Sequence, residues 1–488
     1  MKNFARRVAT ACTLCSLFIQ FLIVLAPISN AQTKRRKQKY NVLFIISDDL
    51  RPELGAYGVE GIKTPNIDAL ARRATRFDRA YAQYPVCNPS RSSFLTGRYP
   101  TETKVLNNND YFRKIDPTSV TLPQYFKNNG YASLRVGKIF HGGIDDAPSW
   151  TEGGEPTDPN ITERGNPNFK PTRPAQSDPA QEQAVNNAVN ISDRNSDRII
   201  VLDGDGETNG DYKAATRAVN FLEKYKDQPF FLAVGFAKPH SPPTAPKKFF
   251  DLYDVDKIPL PEDFGTSPRA LPGAPEISIS PRNADLFIGR PSPPDLSREM
   301  KRAYWASVSF MDAQVGRVLE ALDKNGLRDN TIVVFFGDHG YHLGEKGKWS
   351  KAYSMYELGL RVPLLIAMPG QKAASSRRVV ELMDLYPTLA ELCGLAKPVR
   401  QSGVSIARLV KEPKASFEHP AYAVTVYGKS FARSIRTSKW HYVEWDGGKS
   451  GNMLYATEDD PHELKNLSND PKYGSVVTEM KSILAKKP

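Results

Sequence analysis

The sequence predicts an α/β fold: a large, mixed but mostly parallel sheet sandwiched by helices, with a small antiparallel sheet in a C-terminal subdomain. Three observations predict it. Continuous apolar and β-branched runs recur at Asn41 to Ser47, Phe230 to Gly235, Thr331 to Phe336 and Pro363 to Met368, the pattern of strands covered on both faces. Helical periodicity separates them, at Thr64 to Thr75, Tyr212 to Tyr225, Arg302 to Leu322 and Met383 to Cys393, and strands alternating with helices build parallel sheets. Beyond residue 410 the character changes to short alternating segments, such as Ala423 to Tyr427 and His441 to Trp445, with a helix-compatible stretch at Ser475 to Ala485.

The amino terminus reads as an export signal. Lys2, Arg6 and Arg7 precede a mostly apolar run from Val8 to Pro27, and Ser29-Asn30-Ala31 supplies the small-x-small cleavage pattern. A retained membrane anchor fits less well, because Thr10, Thr13, Ser16 and Gln20 interrupt the run and the basic cluster Lys34 to Lys39 follows it. The expected organisation is therefore a signal peptide over 1–31, a basic tail over 32–40, a catalytic α/β domain over 41–410 and a C-terminal subdomain over 411–488. The expected location is secreted or periplasmic, with no stable membrane insertion after cleavage.

Composition sets the remaining bounds. With 488 residues, 40% of them hydrophobic and 25% charged, the chain is long enough for a full core and excludes disordered, collagen-like and multi-span membrane classes. A net charge of +12 favours acidic partners: nucleic acid, anionic lipid, or a sulfated or phosphorylated polymer. Of four cysteines, Cys12 and Cys15 leave with the signal, so Cys87 and Cys393 allow one disulfide at most.

Two stretches interrupt the strand and helix rhythm. Ser149 to Asn195 is rich in Pro, Asn, Asp and Gly, and Lys238 to Pro294 is strongly enriched in proline. Long loops in compact domains form lids and rims around functional sites.

Candidate chemistry clusters at strand ends. Asp48-Asp49 ends the first apolar run and Asp338-His339 follows another, the end at which open α/β sheets build their sites. An acidic turn would account for one such pair, and the recurrence points to hard oxygen ligands for Ca²⁺ or Mg²⁺. Cys87-Asn88-Pro89-Ser90-Arg91 precedes a helix-compatible run, which places Cys87 at a helix N-terminus where unpaired amides favour an anion. A thiol that merely packs there is the plain alternative.

The pattern Cys-x-Pro-x-Arg at Cys87 to Arg91, followed by Leu95-Thr96-Gly97-Arg98, resembles the signature of the type I, formylglycine-dependent sulfatases. The resemblance continues in order through Asn41 to Asp49, Thr64-Pro65-Asn66-Ile67-Asp68, Gly130 to His141, Lys238-Pro239-His240, Gly337 to Lys351, Asn452-Met453-Leu454-Tyr455 and Asp460-Pro461. It is strongest toward the iduronate-type branch. It implies an alkaline-phosphatase-like sheet and a Cys87 converted to formylglycine by a modifying enzyme. Hydrated, that aldehyde presents one hydroxyl to attack sulfur and another that later expels sulfate. The resemblance assigns the metal, usually calcium with Mg²⁺ the alternative, to Asp48, Asp49, Asp338, His339 and the modified Cys87. His339 replaces the Asn of many sulfatases but matches the iduronate-type pattern.

By the same resemblance Arg91 holds the diol, Lys138 contacts sulfate and His141 is the base for elimination. His240 and Lys351 bind sulfate and protonate the leaving oxygen. Lys348 lies close by, but spacing from Asp338 favours Lys351. His342, His419, His441 and His462 match no catalytic position. A phosphatase or phosphodiesterase of the same superfamily would carry Ser or Thr in place of Cys87, and a noncatalytic polysaccharide binder would have lost these polar residues. The expected partners are a sulfated saccharide and the modifying enzyme, with no nucleic acid. The resemblance implies a 2-O-sulfated uronic acid substrate in a glycosaminoglycan, with neutral sulfated algal sugars as the alternative.

Overall fold

The computed structural model describes residues 39–154 and 198–488. The export signal, most of the basic tail and most of the Ser149 to Asn195 loop lie outside the described residues. Lys39–Pro488 forms one compact unit.

Strands β1 (Asn41–Asp48), β2 (Thr75–Tyr81) and β3 (Ala132–Gly137) are followed by a short β4 (Ile200–Leu202), β5 (Phe230–Pro239) and β6 (Thr244–Pro246). After these come β7 (Thr331–Gly337), β8 (Arg361–Ala367) and β9 (Ala374–Glu381). The large sheet has seven strands in the order β3-β5-β1-β7-β8-β2-β9. Its first four strands are mutually parallel, and only β8 runs antiparallel to its neighbours β7 and β2.

The apolar runs arise because this sheet is buried on both faces. Leu43 and Ile45 of β1, Leu232 and Val234 of β5, and Val333 and Phe335 of β7 enter one core. The alternating Val42, Phe44, Ile46, Phe231, Ala233, Val334 and Phe336 enter the other. Each fully buried side chain of this size stabilises the fold by roughly 1.5–3 kcal/mol. The Gly210–Lys224 and Pro294–Lys324 helices cover the first face, while the Cys87–Thr96 and Leu385–Leu392 helices cover the second.

A second sheet has four antiparallel strands in sequence order: β10 (Ala421–Tyr427), β11 (Ser430–Arg436), β12 (Trp440–Trp445) and β13 (Asn452–Ala456), followed by a Gly474–Leu484 helix. Its residues Ala423, Val443 and Tyr455 pack with Tyr81, Tyr356 and Leu360 of the main sheet region, and Arg436 on β11 pairs with Glu357 at 2.8 Å. The helix expected over Thr64 to Thr75 spans only Pro65–Ala71, because Thr75 already belongs to β2.

Register explains where a site forms. In the parallel half, Ser47 of β1 lies opposite Gly337 of β7, Asp48 opposite Pro239 of β5, and Gly137 of β3 opposite Gly235 of β5. The carboxyl ends of four adjacent strands therefore finish together. Glycine is required there: a Cβ on Gly137, whose φ is +67°, would lie 1.9 Å from the Gly235 carbonyl oxygen, and one on Gly337 would lie 2.2 Å from that of Leu50.

Candidate active site

Each parallel strand delivers chemistry as it ends: Asp48-Asp49 from β1, Lys138 after β3, His240 after β5 and Asp338-His339 after β7. Cys87 is the first residue of its helix, and its sulfur sits 3.3 Å from both Asp48 Oδ1 and His339 Nε2. Burial acts to raise the thiol pKa, but Lys138, Lys351 and His339 prevail, and it ends well below its ordinary value. His141 and His240 also lie beside this sulfur.

Asp48 is fully buried and pairs with Lys138 and, at 3.7 Å, with Arg91. Burial and the neighbouring Cys87 oppose its ionisation, while Lys138, His240 and Arg91 outweigh them and hold the carboxyl below the usual range. Asp49 adopts a left-handed backbone at φ 61°, which its amide bond to Asp338 Oδ1 (3.1 Å) and the Tyr304 hydroxyl on its carbonyl (2.8 Å) fix in place. Beneath it, Arg51 joins Glu53 and Glu345, both at 2.7 Å, in a buried network. Burial raises the Asp49 carboxyl against the pull of Lys351, His240 and His339.

Arg91 reaches back across the site. Its Nε donates to Asp338 Oδ2 at 2.9 Å, and its Nη1 donates to the Lys138 and Ile139 carbonyls at 2.7 and 2.9 Å. Lys351 Nζ donates to Asp49 Oδ2 at 2.9 Å and faces Asp285 at 3.5 Å; against burial, those two carboxylates hold its ammonium well above the ordinary value. The His240 side chain is 31% exposed; its Nδ1 donates to the Ser241 carbonyl at 2.7 Å, and its Nε2 lies 3.8 Å from Asp49 Oδ2. His141 is half-buried, its Nδ1 has no hydrogen-bond partner among the described residues, and desolvation lowers its pKa.

All ten residues singled out from the sequence thus gather at one place, with one distinction among the five candidate metal ligands. Asp48, Asp49, Cys87 and His339 each present a donor atom within 4.8 Å of the others. Asp338 stands outside that group: its oxygens accept from the Asp49 and His339 amides and from Arg91, and burial raises its carboxyl to about 7. Burial would lower His339, but Asp338, Cys87 and Asp49 lift it to about 10. The donor set fits a cation, since Asp49 Oδ1 is a buried carboxylate oxygen without a hydrogen-bond partner among the described residues.

The other histidines have structural places. His342 bonds Ser354 at 2.7 Å, His419 bonds Glu381 at 2.8 Å, His441 bonds Glu463 at 2.6 Å, and His462 is exposed. Cys87 and Cys393 are both buried and free. Sequence reasoning missed Asp285, which faces Lys351, and Tyr304, which carries Asp49; neither has a local signal, since each acts across a long sequence separation.

Comparison with known proteins agrees with this geometry. A sulfatase family model matches residues 40–395, and a model described as N-sulphoglucosamine sulphohydrolase, C-terminal, matches residues 344–488. The chain is 37% identical to human iduronate 2-sulfatase over 80% of its own length and 76% of that protein. It is 31% identical to a sulfatase of Formosa agariphila over 93% and 88% of the respective chains. In fold it resembles the phosphonate monoester hydrolase of Agrobacterium radiobacter, with a TM-score of 0.72 and 21% identity over 92% and 95% of the two chains. Because the matched span takes in every strand of the large sheet and all ten clustered residues, the chain belongs to the sulfatase family, the hydrolases of sulfuric esters.

Proposed function

We propose that this sulfatase removes the 2-O-sulfate from uronic acid residues of glycosaminoglycans or related sulfated polysaccharides, using a formylglycine made from Cys87. The observation that carries the reading is the position of Cys87, at a helix N-terminus between Asp48 and His339 and in the field of Lys138 and Lys351. The similarity to iduronate 2-sulfatase supports the choice of substrate.

Asp48, Asp49, His339 and the modified Cys87 would hold Ca²⁺, or Mg²⁺ in its place, with Asp338 adding negative charge while fixing Asp49 and Arg91. That cation would draw sulfate oxygens in and offset their charge. The formylglycine hydrate would supply the hydroxyl that attacks sulfur. Around it the chain's own groups divide the work. Lys138 and Lys351 are ammonium groups held charged by buried carboxylates, so they neutralise sulfate oxygens. Arg91 spans Asp338 and two carbonyls, a rigid placement from which it orients the nucleophile. His141, whose side chain lies beside position 87 and whose Nδ1 has no hydrogen-bond partner among the described residues, is the base that takes a proton there.

His240 protonates the departing sugar oxygen. Lys351 is anchored by two carboxylates, whereas His240 is part-exposed, is hydrogen-bonded through Nδ1 to the Ser241 carbonyl, and has Nε2 beside Asp49 without a hydrogen bond to it, so that nitrogen can serve the leaving oxygen. Burial acts against its imidazolium and so does Lys351, yet Asp49 and Asp48 raise its pKa overall, which keeps a proton available.

An export signal and a secreted or periplasmic location are part of the same proposal; among the described residues, no helix is long and apolar enough to cross a membrane. We also propose the domain division at residue 411 and the dependence on a formylglycine-forming partner. Mass spectrometry of the Cys87 peptide, from a host that carries the modifying enzyme, together with rates on a panel of defined sulfated sugars, tests the reading. An unmodified Cys87 in fully active protein overturns the nucleophile. Preference for sulfated galactose or fucose overturns the uronate substrate.

A further inference from the structure

Lys238 is a buried lysine at the end of β5 that borders the site without entering it. Its Nζ donates to the carbonyls of His240 and Pro242, both at 2.8 Å, and to Thr244 Oγ1 at 3.4 Å. An ammonium has three donors, and these three oxygens use them all, which leaves none for a substrate. The backbone of the same residue is tied down as well. Its amide and that of Ala237 donate to the Asp211 carboxylate at 2.9 and 2.8 Å, and its carbonyl accepts the Ser47 hydroxyl at 2.8 Å, next to Asp48.

The local sequence explains why such a device is needed. In Pro239-His240-Ser241-Pro242-Pro243 three of five residues lack an N–H, so the segment offers few backbone donors to its own carbonyls. Buried carbonyls need donors, and here side chains supply them: Lys238 for residues 240 and 242, the Thr244 hydroxyl for residue 242 as well, and the His240 ring for residue 241.

We infer that Lys238 is a positioning residue, which sets the His240 imidazole for proton delivery by gripping the carbonyls on either side of Ser241, with Asp211 fixing the base of the same segment. The inference rests on the reading of His240 as the acid for the leaving oxygen. Displacing a catalytic group by about 1 Å costs on the order of 100-fold in rate, so even partial release of this loop is measurable.

The experiment compares two leaving groups. A sugar sulfate expels an alkoxide that needs a proton, whereas 4-nitrophenyl sulfate expels a stable phenolate that does not. Lys238→Met keeps the side-chain volume and removes the donors. It is expected to lower kcat on the 2-O-sulfated uronate, or on whichever sugar sulfate the wild type cleaves, by about tenfold or more, with KM within about twofold and 4-nitrophenyl sulfate within about threefold. In a His240→Ala background the same substitution is expected to change the sugar-sulfate rate by less than about twofold, since two residues acting through one group are not additive. Should Lys238→Met fail to fold, Thr244→Val, which removes the weakest of the three acceptors and the Thr244 hydroxyl's own bond to the Pro242 carbonyl, should show the same split at smaller amplitude.

Equal losses on both substrates, or full additivity with His240→Ala, overturn the inference while leaving the His240 reading intact. A His240→Ala enzyme that loses both substrates equally overturns the acid reading, and this inference with it.

Discussion

A cation at the Asp48, Asp49, Cys87 and His339 cluster should be visible in stability as well as in rate. The perturbation is removal of divalent ions with a chelator, followed by titration with calcium. A ligand that binds only the folded state adds RT ln(1 + [L]/Kd), about 2.7 kcal/mol at a hundredfold excess over Kd. Unfolding entropy is about 2.1 cal/mol/K per residue, so the roughly 450 residues from Lys39 to Pro488 give about 1 kcal/mol/K. The hundredfold excess should then raise Tm by about 3 °C, and each further tenfold should add about 1.5 °C. Asp49→Asn should abolish most of this response, because Asp49 Oδ1 is the carboxylate oxygen left without a hydrogen-bond partner among the described residues. Differential scanning fluorimetry reads both effects. A Tm that does not move with calcium in the wild type, or moves fully in Asp49→Asn, refutes the cation assignment.

Three further outcomes follow from the geometry. Cys87→Ala should abolish turnover, with thermal unfolding shifted by no more than a helix-terminal substitution costs, about 1 kcal/mol, since no side-chain cap bond is lost there; retained sulfatase activity would count against the nucleophile. Glu463→Gln should destabilise at neutral pH by about 1–3 kcal/mol, because it removes the buried carboxylate that Arg436 and His441 share while Arg436 keeps its pairing with Glu357. His441 and Arg436 beside it hold the Glu463 carboxyl, despite burial, below its ordinary value of 4.5. Its contribution is therefore complete above that pH and is lost as pH falls toward the depressed value, so the gap between variant and wild type in urea midpoints should narrow in acid. Reducing the carboxylate of a 2-O-sulfated uronate to an alcohol should lower kcat/KM by about tenfold or more, the cost of one charge-assisted hydrogen bond, and equal rates would point to neutral sugars.

The two parts of the structure differ in how well the sequence announces them. Strands β1, β5, β7 and β8 are buried on both faces and therefore read as unbroken apolar runs, and the acidic pairs that end β1 and β7 are legible as site candidates. Strand β9 was not, since Ala374–Glu381 carries Ser375, Ser376, Arg377 and Arg378 on the sheet edge, and β2, Thr75–Tyr81, alternates Arg76, Asp78 and Arg79 with its buried residues. In β3, Ser133 and Arg135 are buried polar positions that break the apolar pattern, and Lys138 behind it is legible only through the resemblance of Gly130 to His141 to the sulfatases.

What no local pattern could show is how the catalytic groups are held. Asp49 depends on Tyr304, 255 residues away, and Arg91 is aimed by carbonyls 47 and 48 residues downstream. Sulfate chemistry demands a fixed set of residue types, which a short motif can carry. Their placement to a few tenths of an ångström demands partners from wherever the packed sheet brings them. The same asymmetry bears on specificity. On the proposed function the motif residues would neutralise sulfate whatever sugar bears it, and the groups that recognise the sugar would come from the two proline-rich stretches, Ser149 to Asn195 and Lys238 to Pro294. Asp285, 3.5 Å from Lys351, brings the second of these stretches to the candidate site. A substitution there should shift the preference among sulfated sugars while sparing 4-nitrophenyl sulfate, the reverse of what a change at Lys138 or Lys351 should do.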